Sequence, residues 1–138
     1  MNSKDCLKKY GIPELEHNMV LYKIHQDLRC NYVIPNRIYC NRDLIKPLRT
    51  ALELIKIRNL QHLVKSWDGC FNIRKSKGGD VFSLHSWGVA FDINAKTNGY
   101  NQLPQMPCEL VSCFIETGFE WGGLWKTKDG MHFQLRNI

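Results

Sequence analysis

The strongest periodic signal in the chain starts at Asp43, where Leu44, Leu48, Ala51, Leu52 and Ile55 recur at helical spacing. It predicts one amphipathic helix running to about Val64, with Asp43 as its N-cap and Pro47 tolerated in its first turn. A shorter apolar-periodic stretch, "PCELVSCFIETG" at 107–118, predicts a second helix stopped by Gly118. Strands are expected elsewhere: "NMVLYKIH" and "YVIPNRIYC" near the N-terminus, the latter interrupted by Pro35, then "GCFNIRK", "GVAFDIN" and "MHFQLR". "SKGGD" reads as a turn between two of these strands. Helices and strands mix without βαβ regularity, so the expected fold class is α+β, a small single domain with a largely antiparallel sheet.

Composition narrows this picture only slightly. A length of 138 residues suits one domain with a sizeable core, here read as residues 1–138 with an N-terminal cover segment over 1–35 and the main body over 36–138. No apolar run approaches the roughly 18 residues of a membrane span. The polar N-terminus carries no apolar signal region, so synthesis in the cytoplasm without a signal peptide is expected. Under that expectation the six cysteines are free and mostly buried rather than a disulfide framework, and none forms a C-x-x-C zinc pair.

Charge is unevenly spread. Residues 1–78 hold 15 Lys/Arg against 7 Asp/Glu, while residues 79–138 hold 4 against 6. A basic first half favours contact with anionic polymers. Basic and aromatic residues do not interleave as a nucleic-acid motif requires, so no nucleic-acid partner is expected.

The candidate chemistry lies in "SLHSWGVAFDIN", residues 83–94. On a strand, Val89, Phe91 and Ile93 point to the core while Ala90 and Asp92 share the opposite face. A fully extended chain would hold His85 about 23 Å from Asp92. They can meet only if the chain bends, and Gly88 is the residue most able to do so. Taken alone, such a pair is more often a hydrogen-bonded structural couple. A third partner is found in "KTKDGMHFQL", where His132 and Gln134 share one strand face and Met131, Phe133 and Leu135 the other. Asp129 comes three residues earlier, and Gly130 frees it to turn towards the same centre. His85, Asp92 and His132 would then supply three nitrogen and oxygen ligands with a fourth position for water, the pattern of catalytic zinc, and Asp129 a carboxylate able to take a proton.

"SLHSWGVAFD" and "DGMHF" together resemble the S-x-H-x-x-G-x-A-x-D signature and the later acid-x-x-His element of the M15 zinc peptidases. That family includes D-alanyl-D-alanine carboxypeptidases, D,D-dipeptidases and phage L-alanyl-D-glutamate endolysins. The resemblance runs from about Asn36 to Gln134. It implies a hedgehog/DD-peptidase-like fold, Zn2+ held by His85, Asp92 and His132, and Asp129 as catalytic acid/base. It further implies Arg74 as the group that polarises the scissile carbonyl. Many members carry glutamate where this chain has Asp129; the shorter acid resembles the endolysin branch. Ser83 belongs to the signature and is a candidate substrate contact, as are Trp121 and Trp125 of "WGGLW", although core packing would equally explain both tryptophans.

The function so implied is hydrolysis of peptidoglycan stem peptides, with L-alanyl-D-glutamate endopeptidase activity expected and D-alanyl-D-alanine carboxypeptidase the alternative. A monomer acting on the cell wall after release from the cytoplasm is expected. From another class comes a non-catalytic zinc-bearing binding module, which the acid at Asp129 and the cation at Arg74 argue against.

Overall fold

The structure, a computed structural model, describes residues 1–137. Strands β1 (Met19–Lys23) and β2 (Arg37–Asn41) form an antiparallel hairpin. The second sheet holds β3 (Trp67–Gly69), β4 (Ala90–Ile93), β5 (Phe119–Trp121) and β6 (His132–Leu135) in the order β3-β4-β6-β5, antiparallel at every junction. Helices α1 (Ser3–Tyr10), α2 (Arg42–Ile57) and α3 (Cys108–Ile115) complete it, so the expected α+β class with antiparallel sheets is what the chain adopts.

One aromatic ring from each strand of the second sheet forms a row across its core face. Trp67 stacks on Phe91 with centroids 5.2 Å apart, Phe91 on Phe133 at 5.6 Å, and Phe133 on Trp121 at 6.4 Å. Phe114 of α3 covers the centre of the row, 4.6 Å from Phe133 and 5.3 Å from Phe91. Because side chains alternate along a strand, fixing these rings on one face delivers Asp92, His132, Gln134 and Glu120 to the other. The other wall of the core is the apolar stripe of α2, whose Leu44, Leu48, Ala51, Leu52 and Ile55 are all buried.

The ends of α2 differ from the sequence expectation for local reasons. Asn41, not Asp43, is the N-cap: it is the last residue of β2, still extended, and its side chain accepts from the Asp43 backbone N–H at 2.9 Å. Asp43 is engaged instead with α1, accepting from the Tyr10 hydroxyl at 2.6 Å and pairing with Lys9 at 3.1 Å. Pro47 therefore falls beyond the first turn, where it removes a helical hydrogen bond. The helix stops at Ile57 rather than near Val64. Asn59 adopts a left-handed φ of 58°, with Leu60 N–H donating to the Ile55 carbonyl and Asn59 N–H to that of Lys56. This double bond pattern around a left-handed residue closes the helix as a glycine commonly does.

Two further expectations shift. The strand expected over "GCFNIRK" lies earlier, as β3, because Trp67 takes its place in the aromatic row. The N-terminal part holds, besides the two expected strands, a helix that the apolar pattern did not predict, α1. All six cysteines are free; Cys108 alone is exposed.

Phe91 is fully buried and touches Trp67, Phe114, Phe119 and Phe133. Phe91→Ala is expected to cost about 3–5 kcal/mol, to be read as a lowered urea midpoint in equilibrium unfolding.

Candidate metal centre

Asp92 and His132 are direct partners in the β4–β6 ladder, so their side chains stand side by side on the face away from the aromatic row. His85 reaches them from a 3-10 turn, Leu84–Trp87. Ser83 caps that turn, its Oγ accepting from the His85 N–H at 3.3 Å. Gly88 then reverses the chain with a φ of +67°, and an added Cβ there would come within 2.7 Å of the Asn41 backbone nitrogen. The bend required between His85 and Asp92 is thus made at Gly88.

The hydrogen bonds outside the centre fix the tautomers within it. His85 Nδ1 lies 2.6 Å from the carbonyl oxygen of Cys70, which can only accept, so Nδ1 carries the proton and Nε2 presents a lone pair. His132 Nε2 lies 2.9 Å from Gln134 Oε1. The Gln134 amide is oriented by its other end, where Nε2 donates to Glu120 Oε1 at 3.0 Å and to the Met1 carbonyl at 3.3 Å. Its oxygen therefore faces His132, whose Nε2 carries the proton and whose Nδ1 is left with the lone pair.

Three acceptors then face one another. His85 Nε2 is 3.2 Å from Asp92 Oδ1, His132 Nδ1 is 3.3 Å from the same oxygen, and the two imidazole nitrogens are 3.2 Å apart. Lone pairs at this range, largely shielded from water, repel unless a cation lies between them. A tetrahedral ion with bonds of about 2.0–2.1 Å would separate its ligand atoms by about 3.3–3.4 Å, which matches this triangle. The donor set of two imidazoles and a carboxylate fits zinc.

Titration behaviour agrees with a site built for positive charge. Burial opposes ionisation of Asp92, but without an ion between the three, protons on His132 and His85 take its place, and their hydrogen bonds and charge hold Asp92 well below the usual carboxylate range. Burial likewise disfavours the charged His132, yet Asp92 wins and raises it. Asp129 moves the other way: burial raises its pKa, with the nearby Asp92 adding to the effect.

His132 brings the triad to the wall of a cleft of about 610 Å³, lined among others by Arg74, Ser83, Trp125 and Asp129. Asp129 is placed by Gly122, whose carbonyl accepts from the Asp129 N–H at 3.0 Å and whose own Cβ, if it had one, would strike the Asp129 carbonyl at 2.5 Å. Trp121 is the exception among the expected cleft residues. It sits in the aromatic row on the core face, with Nε1 donating to the Gly130 carbonyl at 2.7 Å. Strand alternation assigns the cleft face to its neighbour Glu120.

Residues 76–135 match the model of an M15 peptidase family described as D-alanyl-D-alanine carboxypeptidase. Over these residues the chain is similar to the M15 peptidases. The M15 match takes in His85, Asp92, Asp129 and His132 and begins just after Arg74. No curated protein matches the chain. Among solved structures, the Serratia marcescens L-Ala D-Glu endopeptidase ChiX aligns at 22% identity and a TM-score of 0.47, over 70% of this chain and 80% of that one.

Five contributors were not singled out as site residues from the sequence. Glu120 had no motif to mark it. The Cys70 carbonyl is a backbone group and leaves no trace in residue types. Met1, Asn2 and Ser3 line the cleft because α1 packs beside the turn carrying His85.

Gly88→Ala should destabilise the protein by about 1–3 kcal/mol, since it combines left-handed strain with a backbone clash. Zinc affinity should fall with it, because the turn that carries His85 must move; thermal unfolding and a zinc competition titration read the two effects.

Proposed function

We propose that the chain is a zinc-dependent peptidase that cuts the stem peptides of peptidoglycan, with L-alanyl-D-glutamate endopeptidase activity of the phage endolysin type. The observation that carries the proposal is the convergence of three lone pairs, from His85, Asp92 and His132, beside a cleft lined by His132 and Asp129.

Zinc held by these three residues would supply Lewis acidity, polarising a peptide carbonyl and making water a better acid. Asp129 takes the proton of the attacking water and returns it to the leaving amine. Arg74, at the cleft wall, donates to the carbonyl oxygen as negative charge develops there. Ser83 and Trp125 line the same cleft and bound the path of the peptide. Ser83 also caps the turn of His85, so its substitution would affect both binding and metal geometry.

The aspartate at 129, one methylene shorter than glutamate, favours the endolysin branch. The description of the matched family favours a second reading, D-alanyl-D-alanine carboxypeptidase. In either case the partner is a stem peptide and not a nucleic acid, and the working form is a monomer reaching the wall after release from the cytoplasm. None of the helices of the described residues is long and apolar enough to cross a membrane.

Digestion of purified peptidoglycan by the zinc-loaded protein, followed by mass spectrometry of the new termini, separates these readings. New L-alanyl carboxyl termini with D-glutamyl amino termini identify the endopeptidase, and free D-alanine identifies the carboxypeptidase. A zinc-replete protein that releases neither is a binding module. Asp129→Asn should lower kcat by about 10²–10⁴-fold while zinc stoichiometry stays at the wild-type value. Removing zinc with a chelator should abolish turnover, and adding zinc back should restore it.

A further inference from the structure

Beneath the metal triad lies a second layer of polar groups that neither binds the proposed ion nor lines up with any motif. His132, Gln134 and Glu120 form a chain from β6 to β5: imidazole Nε2 to amide Oε1 at 2.9 Å, then amide Nε2 to carboxylate Oε1 at 3.0 Å. The ladder places Glu120 directly opposite Gln134. Glu120 is itself held from its other oxygen by the Trp125 indole N–H at 3.3 Å, and the Trp125 ring packs 5.3 Å from that of His132. His132 and Gln134 are both buried.

We propose that Gln134 and Glu120 are positioning residues that set the tautomer of His132, and so decide which of its nitrogens is offered to the metal. An amide is ambivalent, because turned over it would present N–H groups to His132. A donor facing Nε2 would draw the lone pair to Nε2 and leave the proton on Nδ1, pointing into the triad. Glu120 removes that ambiguity, since an ionised carboxylate only accepts and must meet the amide nitrogen. The Met1 carbonyl, a second acceptor on the same nitrogen, works in the same sense. A partner that fixes a ligand imidazole in this way is worth about 10–100-fold in metal affinity. The consequence for affinity rests on the zinc reading above; the tautomer itself does not.

The test uses the full chain and two measurements. Imidazole 15N chemical shifts at alkaline pH, after chelation, report which nitrogen of His132 carries the proton, and competition with a chromophoric chelator reports zinc affinity. Wild-type His132 should be the Nε2–H tautomer. Gln134→Leu, which keeps volume but removes the acceptor, should give mixed tautomers and a 10–100-fold weaker zinc affinity. Gln134→Glu alone sets two carboxylates against each other and should also weaken binding. The double variant Glu120→Gln/Gln134→Glu reverses the polarity of the link while keeping an acceptor against His132, and should restore the tautomer; because the new carboxylate also faces the Met1 carbonyl, affinity should recover in part, to a value clearly above that of Gln134→Leu.

The proposal is overturned if Gln134→Leu retains the wild-type tautomer, or if the folded double variant is no better than Gln134→Leu in both measurements. Should the wild type fail to bind zinc, the metal reading falls, while the shifts still decide whether Gln134 and Glu120 set the tautomer.

Discussion

The row of stacked rings across the second sheet is the constraint on which the rest depends. Trp67, Phe91, Phe133 and Trp121 each come from a different strand and share one face. Once they are buried together, alternation leaves no choice about what stands on the other face. Asp92 follows Phe91, His132 precedes Phe133 and Glu120 precedes Trp121, so the polar groups of the site are placed by the packing of their apolar neighbours. A slip of one residue in any of these strands would send a ring into the cleft and a charge into the core.

The site itself stores an unfavourable arrangement. Two lone-pair nitrogens and a carboxylate oxygen are brought within 3.2–3.3 Å of one another by bonds made elsewhere, to the Cys70 carbonyl and to Gln134. Folding holds them there because each strand is anchored by far larger apolar contacts. A cation bound between them would relieve that repulsion as well as form bonds.

Much of this was legible in the sequence. The stripe of α2, the helix α3 and strands β1, β4 and β6 follow from periodicity, and His85, Asp92 and His132 follow from reading the faces of two strands. Asp129 follows from its place before Gly130 and His132, and the family resemblance added Arg74; both line the cleft. What escaped was set by contacts distant in sequence or by the backbone. Asn59 ends α2 through a left-handed conformation open to any asparagine, so nothing in the apolar pattern marks it. Trp121 and Glu120 were separable only once the register against β6 was known, because a short strand after a glycine can start on either face. Asp43 looked like a cap by residue type, but α1 claims its carboxylate across more than thirty residues of chain.

The cysteines carry a consequence for how the protein withstands its surroundings. Five of the six are buried, and burial pushes the thiols of Cys6, Cys30 and Cys40 up to about 12. At neutral pH they hold almost no thiolate, the nucleophilic form that reacts with oxidants and disulfides. A folded molecule carried from a reducing to an oxidising space therefore keeps its covalent structure without needing any crosslink. Cys108 is the exception at the surface. It gives the molecule a single point at which two copies can be tethered or a reporter attached, at the start of α3 and apart from the cleft-lining residues.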